Sequence, residues 1–366
     1  MYNTIVTVEE KMKLIYQVGE EVIGADEIKA KMEQGKELIA YDGFEPSGRI
    51  HIAQGFVRAL NIQKMLEAGI HFKMLIADWH AFANNKMGGD LKKIKIVGEY
   101  FIEVWKACGL DVDRVDFIWA SDLVKKPNYW LTVLKVGRVT TLKRMIRCSQ
   151  IMGRSDSDNL TVAQIMYPAM QATDIFYLKV DIAQLGMDQR KVNMLARQIA
   201  DELGYEKPAA VHHHMLISLK PPTDVIQNVD DKLERTIALK MSKSKPDSAI
   251  FMTDTKEEIY EKIKKAYCPP NEILNNPILE YFRYVIFPKF EKIVIERKDE
   301  YGGNVSFESY SDLENSYQDG KIFPLDLKDN LSKYLNDVID PIRKYFENNL
   351  EARRLKDAVE SFEVTR

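Results

Sequence analysis

Short apolar runs alternate with longer amphipathic stretches between residues 37 and 204, and this alternation sets the strongest limit on the architecture. Buried strands are predicted in four runs: ELIAYDG (37–43), HFKMLIAD (71–78), VDFIWA (115–120) and KVDIAQ (179–184). Helices are predicted at 52–68, 90–108, 127–148, 161–177 and 188–204. Strands alternating with helices indicate an α/β fold with a doubly wound, Rossmann-like parallel sheet, which binds ligands beyond the carboxyl ends of its strands.

The regions on either side of this core have a different pattern. Residues 8–36 predict two amphipathic helices broken near Gly24, with Asp26 placed to cap the second. After about residue 252 we predict a hairpin at 292–309, turning at Gly302-Gly303, and helices near 256–267, 276–286, 311–319 and 324–347. The chain is therefore predicted to have three parts: an N-terminal helical segment (1–36), a Rossmann-like domain (37–252) with a loop at 236–250, and a mainly helical C-terminal domain (253–366).

Composition excludes several classes of protein. The net charge of -3 gives no overall basic field, so contact with a nucleic acid would be local. The three cysteines form no CxxC pair, which argues against a zinc knuckle or a disulfide framework. The start of the chain resembles neither a secretory signal nor a transit peptide, and no membrane-spanning run of about 18 apolar residues occurs. A cytoplasmic protein is expected.

Consecutive histidines at 212–214 suggest a metal site at first sight. Neighbouring residues of a strand point to opposite faces, so these three side chains cannot converge on one ion. No metal site is predicted here. The segment is expected to form the edge of the sheet.

Two separate segments carry the features of a nucleotide site. In YDGFEPSGRIHIAQG (41–55) a strand ends in a Gly/Pro/Ser turn, and His51 then opens a helix whose backbone N–H groups suit a phosphate. Gly43 leaves room for a ligand to approach the backbone, and His51 can donate a hydrogen bond to a phosphate oxygen. KMSKS (240–244) offers two ammonium groups that can clamp a polyphosphate. Either segment alone is a weak signal, but the pair around a doubly wound sheet is specific.

At these residues the chain resembles a class I aminoacyl-tRNA synthetase, whose hallmark sequences are HIGH and KMSKS. HIGH stands here as HIAQ, so Gln54 replaces the second histidine. The resemblance implies that ATP is a substrate accompanied by Mg²⁺, with no structural metal held by the protein. It implies that His51, Lys240 and Lys243 stabilise the charge of the transition state, and that Asp188 binds the ribose hydroxyls.

A longer resemblance, from about residue 37 to about 346, is to the archaeal and eukaryotic type of tyrosyl-tRNA synthetase. It is carried by YDGFEPSG (41–48), LIADWHAF (75–82), TTLKR (140–144), YPAMQATDIFYL (167–178), GMDQRK (186–191), KIKKAYCP (262–269) and FPLDLK (323–328). The family then implies that the substrate phenol lies between Tyr41 and Asp174, and that His80 belongs to the pocket wall. Residues that would hold the tyrosine ammonium group are Tyr167, Gln171 and Gln189.

Spacing supports this pocket independently, because Tyr167, Gln171 and Asp174 recur at i, i+4 and i+7 and share one helix face. On spacing alone, a solvent-facing polar stripe is an equal alternative. A site built around a phenolic O–H rejects phenylalanine, because its buried polar groups would lose their partner.

The resemblance also implies a partner, tRNA(Tyr), and a homodimer. Local basic groups beside the predicted site would contact the acceptor stem: Lys143, Arg144, Arg147, Arg190 and Lys191. In the C-terminal domain, Asp326 would hold the edge of the first anticodon base, and Phe282 and Phe323 would stack on it. Asp326 has a simpler role available as well, in the first turn of a helix.

Two alternatives remain open from the sequence. A tryptophanyl-tRNA synthetase shares the fold and the motifs, but would lack the pair Tyr41 and Asp174 dedicated to a hydroxyl. A catalytically inactive relative that only binds RNA is permitted by HIAQ, although the intact KMSKS argues against it.

Overall fold

The fold was analysed in a computed structural model. It describes residues 7–153, 159–222, 235, 239–241 and 246–362. Its strands are β1 Glu21–Ile23, β2 Ile39–Phe44, β3 His71–Ile76, β4 Val115–Trp119, β5 Ile182–Gly186, β6 Ala209–His213, β7 Ile293–Ile295 and β8 Val305–Phe307. The first helices are α1 Val8–Val18, α2 Ala25–Glu33, α3 Arg58–Glu67, α4 Asp78–Ala83, α5 Leu91–Ala107, α6 Ala120–Leu123, α7 Pro127–Val139 and α8 Leu142–Cys148. They are followed by α9 Val162–Tyr177, α10 Arg190–Leu203, α11 Lys256–Lys265, α12 Pro277–Tyr281, α13 Tyr310–Gln318, α14 Pro324–Asn348 and α15 Leu350–Glu360.

Six strands form the main sheet in the order β1-β6-β5-β2-β3-β4. All neighbours are parallel except β1, which pairs antiparallel with β6. The chain winds outward from β2 through β3 to β4, and returns to the other side of β2 with β5 and β6. The order therefore reverses between β2 and β5, which is where a doubly wound sheet opens its ligand crevice. The predicted fold class is confirmed.

The N-terminal segment differs from its prediction. Between its two helices runs the short strand β1, whose three residues are all half-buried and carry no clear alternation. Asp26 does not cap α2; Gly24 holds the N-cap position with a φ of 80° and no side-chain hydrogen bond. Because β1 covers β6, the histidine segment is not the sheet edge, and that prediction was wrong.

Local sequence explains the helices that surround the crevice. Thr161 and Gln164 form a capping box at the start of α9, and the body of that helix is buried on nearly all sides. The helix predicted over 127–148 is two helices, because Thr140 is extended and the Thr141 hydroxyl caps α8.

One continuous apolar core joins the parts of the chain, with Ile15 from α1, Phe72 from β3, Ile259 from α11 and Phe346 from α14 in the same cluster. The hairpin of β7 and β8 packs at the C-terminal end of this cluster. The boundary predicted near residue 252 therefore falls within a shared core, and the division into three parts stays a prediction. No helix in the described part of the chain is both long enough and apolar enough to span a membrane.

Candidate active site

The carboxyl ends of β2 and β5 and the inner face of α9 enclose a polar pocket. Tyr41 lies in β2 and is buried. A Cβ atom added to Gly43 would lie 2.7 Å from the Tyr41 hydroxyl, so this glycine leaves space for the phenol of Tyr41. The predicted role of Gly43 in binding a nucleotide stays a prediction.

Asp174 is fully buried on α9, at the base of the pocket. The Tyr129 hydroxyl donates to its Oδ1 at 2.7 Å, and His80 Nε2 lies 3.0 Å from its Oδ2. Despite that short distance, neither Oδ2 nor the His80 ring nitrogens make a hydrogen bond of normal geometry with any described residue. The carboxylate is thus anchored through one oxygen, while the other faces the pocket beside an imidazole.

Burial controls the protonation of the groups around Asp174. It raises the pKa of Tyr41 and Tyr129 well above the ordinary value for a phenol, and the charge of Asp174 raises both further. Burial alone would lower the pKa of His80, but the Asp174 carboxylate outweighs that effect and the pKa is raised. The phenols therefore remain neutral O–H groups, able to donate.

The other predicted tyrosine-binding residues meet on the same side of the pocket. Gln171 Nε2 donates to Gln189 Oε1 at 3.0 Å, and Gln189 Nε2 donates to the Ile151 carbonyl at 3.1 Å. The Tyr167 ring stands edge-on to His80 with their centroids 5.0 Å apart. The structure brings together every residue predicted to bind tyrosine. It adds Tyr129, which no pattern in the sequence distinguishes from an ordinary core aromatic.

The HIAQ segment is held by the chain just after the KMSKS loop. Ile52 N–H donates to the Ile250 carbonyl at 2.8 Å, and Met252 N–H donates to the Ile50 carbonyl at 3.0 Å. His51 sits within this bridge and is buried. Beyond it the backbone makes a wide helical turn, Ala53–Val57, before α3 begins. The HIAQ segment therefore pairs with residues 250–252, which follow the KMSKS motif along the chain.

Asp188, predicted to bind the ribose, is buried after β5, and Lys240 Nζ donates to its Oδ2 at 2.6 Å. Lys240 itself pairs across to Ile217, which fixes the first residue of KMSKS against the sheet. Gln54 has a buried side-chain oxygen with no hydrogen-bond partner among the described residues. Lys243 lies outside the described residues.

Basic side chains predicted to contact tRNA lie on two adjacent helices. Arg144 on α8 donates to Gln198 on α10 at 3.0 Å. At the start of α10, Arg190 Nε donates to Glu21 Oε2 at 2.8 Å and Lys191 bonds Gln150. Lys143 and Arg147 are exposed on α8. A local basic surface thus lies beside the pocket.

The residues predicted to contact the anticodon differ in how far their side chains are exposed to solvent. Phe323 is 56% exposed before α14, and its N–H donates to Asp326 Oδ2 at 3.4 Å. Phe282 is fully buried in the main core, so its assignment as a stacking ring was wrong. It lies in the run PILEYFRYVIF, whose helical turns bury the Phe282 ring in the core.

The three consecutive histidines have different partners, as the strand geometry requires. His212 Nδ1 lies 2.8 Å from Glu21 Oε2, His213 Nδ1 lies 3.1 Å from Arg58, and His214 contacts Glu20 and Glu280 at 3.1 Å each. Within the described ranges, no three His, Cys, Asp or Glu side chains are grouped closely enough to hold a metal ion.

Known proteins are similar to this chain in both sequence and fold. The family model for class I tRNA synthetases of tryptophan and tyrosine (W and Y) matches residues 32–340. Tyrosine–tRNA ligase 1, cytoplasmic, of Arabidopsis thaliana is 47% identical over 98% of this chain and 90% of that protein. The chain belongs to the tyrosyl-tRNA synthetase family. Its members are tyrosine–tRNA ligases, so the chain is an aminoacyl-tRNA ligase.

Further members agree with this assignment. The tyrosine–tRNA ligase of Saccharolobus solfataricus is 40% identical over the full length of both chains. The crystal structure of the tyrosyl-tRNA synthetase of Pyrococcus horikoshii, complexed with L-tyrosine, superimposes with a TM-score of 0.90. It is 37% identical and is matched over 96% of this chain and 100% of that one. A tryptophanyl-tRNA synthetase from Aeropyrum pernix reaches a TM-score of 0.67 at 20% identity, a likeness of fold alone.

Proposed function

We propose that the chain activates L-tyrosine with ATP, releases pyrophosphate, and transfers tyrosine from the adenylate to the 3′ end of tRNA(Tyr). The observation that carries this proposal is the buried Asp174 carboxylate with one oxygen anchored by Tyr129 and the other directed to the pocket. Oδ2 lies 3.0 Å from His80 Nε2 but makes no hydrogen bond of normal geometry with a described residue, so it can accept one from the phenolic O–H of a bound tyrosine. Tyr41 lines the same space, near enough for the Asp174 charge to raise its pKa.

The remaining groups orient the two reactants. Tyr167, Gln171 and Gln189 would bind the substrate ammonium group through hydroxyl and amide oxygens. No general base is required, because the tyrosine carboxylate is already an anion and attacks the α-phosphorus directly. Positioning and neutralisation of phosphate charge then supply the catalysis.

The nucleotide would lie between the HIAQ turn and the KMSKS loop. Gly43, His51, Gln54 and Asp188 are the proposed ATP-binding residues. Lys243 and Lys240 would neutralise the leaving pyrophosphate, which requires Lys240 to release Asp188 from their present ion pair. Magnesium would arrive on the phosphates of ATP, whose oxygens are the ligands it prefers.

The acceptor stem would approach the basic surface of α8 and α10, through Lys143, Arg144, Arg190 and Lys191. Phe323 would stack on the first anticodon base, and Asp326 would hold its edge. Glu21 holds Arg190 through Nε, which leaves the outer guanidinium nitrogens to bind the RNA.

A homodimer is supported by four exposed apolar side chains on three helices: Leu131 and Leu134 on α7, Leu142 on α8 and Val162 on α9. Light scattering on eluted protein should give twice the mass of the chain. Leu134→Glu should return the monomer mass, whereas Leu350→Glu, at an equally exposed leucine on α15, should not. A dimer in both variants would exclude this face.

The cytoplasm is the proposed location, as in the name of the Arabidopsis relative.

Amino-acid-dependent exchange of pyrophosphate into ATP tests the proposed activity directly. Exchange should be rapid with tyrosine and much slower with phenylalanine, since tyrosyl-tRNA synthetases are known to discriminate between these two amino acids by about 10⁵-fold. Exchange supported by tryptophan and not by tyrosine would contradict the assigned substrate. No exchange with any of the three amino acids would favour an inactive RNA-binding relative.

A further inference from the structure

A buried polar cluster lies behind the proposed nucleotide site and is not used by the function described so far. It consists of Asp42, Arg58, Gln184 and His213, each less than a tenth exposed. Arg58 Nη1 lies 2.5 Å from Asp42 Oδ2 and 3.1 Å from His213 Nδ1. Gln184 Nε2 lies 2.8 Å from the same Nδ1. The cluster joins β2, α3, β5 and β6, so it connects both halves of the sheet at the crevice.

This arrangement fixes the tautomer of His213. A guanidinium only donates hydrogen bonds, so the Nδ1 atom that faces Arg58 must carry a lone pair. Burial lowers the pKa of His213 well below its ordinary value, and the charge of Arg58 lowers it further. The ring is therefore neutral, and its single N–H proton sits on Nε2.

His213 Nε2 and the Asp188 carboxylate border one small space beside Gly186. A Cβ atom added to Gly186 would lie 2.6 Å from Asp188 Oδ1, 2.6 Å from Met215 Sδ and 3.4 Å from His213 Nε2. His213 Nε2 makes no hydrogen bond to any residue that the structure describes. Lys240 occupies the other oxygen of Asp188, Oδ2, which leaves Oδ1 on the side of Gly186.

The chemistry of a ribose hydroxyl matches these two atoms. A hydroxyl both donates and accepts, but a carboxylate only accepts, so Asp188 alone satisfies half of the group. We propose that His213 donates from Nε2 to the ribose hydroxyl of ATP whose proton Asp188 accepts. Asp42, Arg58 and Gln184 are positioning residues that hold the imidazole in the donating tautomer. This inference rests on the proposed nucleotide site.

Two substitutions of His213 separate contact with the nucleotide from a structural role. In His213→Asn the amide oxygen replaces Nδ1 and still accepts from Arg58, but nothing reaches the ribose. In His213→Gln the amide nitrogen reaches the position of Nε2 and restores a donor. The readout is pyrophosphate exchange with wild-type protein, both variants and the control His71→Asn, whose imidazole contacts Asp116 at the opposite end of the sheet. Thermal melting of each protein verifies that it is folded.

His213→Asn should raise KM for ATP about three- to tenfold, as expected for one lost hydrogen bond, with KM for tyrosine unchanged. His213→Gln should recover most of the loss. The difference between wild type and His213→Asn should disappear with 2′-deoxyATP or with 3′-deoxyATP, whichever lacks the bonded hydroxyl, and persist with the other.

An equal loss with ATP and both deoxynucleotides would show that His213 acts through structure alone, and would overturn the proposal. Should His213→Asn fail to fold, nitrogen-15 NMR of histidine-labelled wild type decides instead. A protonated Nε2 whose signal moves when ATP binds supports the contact, and a protonated Nδ1 or an unmoved signal refutes it. Failure of the proposed function is distinguishable, because wild-type protein would then show no tyrosine-dependent exchange at all.

Discussion

At the base of the pocket, the Asp174 carboxylate is held by a phenol on one oxygen and faced by an imidazole on the other. Tyr129 comes from α7 and His80 from α4, so three elements determine where this charge lies. Because a buried charge must be matched by donors, the amino acid that fits is one that brings an O–H to this point. A side chain without that group would leave Oδ2 with no hydrogen bond of normal geometry from any described residue.

Removing the charge at residue 174 tests this account. Asp174→Asn keeps the shape of the side chain but replaces one carboxylate oxygen with an amide NH2 group. That group cannot accept a hydrogen bond from an O–H group as the carboxylate oxygen did. KM for tyrosine should rise at least about tenfold, the value of a hydrogen bond to a charged group, with KM for ATP nearly unchanged. Pyrophosphate exchange measures both constants. Asp122→Asn, exposed on α6 and paired with Lys125, is the control. An unchanged KM for tyrosine would remove Asp174 from the pocket.

Phe323 provides a second prediction at the level of a residue. Its exposed ring beside Asp326 is the stacking surface proposed for the anticodon, and a stacked base contributes about 1–3 kcal/mol. Phe323→Ala should therefore raise KM for tRNA(Tyr) at least about fivefold in aminoacylation, while pyrophosphate exchange stays at the wild-type rate. Leu325→Ala, two residues further on and equally exposed, should leave both rates unchanged. Equal effects of the two variants would contradict stacking.

Among the elements, β6 and α12 are joined by a single charged side chain. His214, just after β6, contacts Glu20 and Glu280 at 3.1 Å each and stacks on Tyr284 with the ring centroids 4.1 Å apart. Burial alone would lower the pKa of His214, but the two carboxylates outweigh it and raise the pKa to about 9. The imidazolium therefore stays charged at neutral pH and holds the sheet against the C-terminal helices.

The pKa of His214 gives stability a defined dependence on pH. Its folded value is above the unfolded value of about 6.5, so protonation stabilises the folded state fully below pH 6.5 and the contribution is lost as pH rises through about 9. The melting temperature of wild-type protein should fall between about pH 7 and pH 10. His214→Gln should melt lower at pH 7 and show a flatter profile. If the melting temperatures of wild type and His214→Gln changed with pH in parallel, the role of His214 would be contradicted. His71→Gln, at the amino end of β3, should follow the wild type.

Across the whole molecule, Asp254 connects the nucleotide turn to the C-terminal helices. Its buried carboxylate accepts from Arg49 at 3.1 Å, from Lys262 on α11 at 2.6 Å and from the Phe251 N–H at 2.8 Å. The Asp254 carbonyl accepts from Arg343 on α14 at 2.9 Å. This network lies directly after the segment that pairs with HIAQ, so the turn before HIAQ and the helices α11 and α14 are held by one residue.

Asp254→Ala should destabilise the whole fold, because it leaves two cations and a buried N–H without their acceptor. We expect the free energy of unfolding in urea to fall by about 3 kcal/mol, with a single transition retained. Asp319→Ala removes an exposed partner of Lys321 and should change it by less than about 1 kcal/mol. Two separate transitions in the Asp254→Ala protein would show that the C-terminal helices can unfold alone.

Sequence reasoning succeeded where the signal is local. Apolar runs located β2, β3 and β4 to within a residue or two, because a buried parallel strand must be apolar along its length. It failed for β1, whose three half-buried residues have no pattern of their own and form a strand only against β6. The break between α7 and α8 was also missed, since it depends on one threonine cap in an otherwise helical run.

The sequence by itself determined the alternation of strands and helices in the sheet domain, the two nucleotide segments and the family, since periodicity and motifs are properties of neighbouring residues. Only the tertiary structure decided which side chains share an environment. Tyr129 bonds Asp174 from 45 residues away, and Lys240 bonds Asp188 across 52 residues. The burial of Phe282 and the tautomer of His213 were decided in the same way. Such contacts follow from how helices pack on the sheet, and no pattern along the chain encodes those distances.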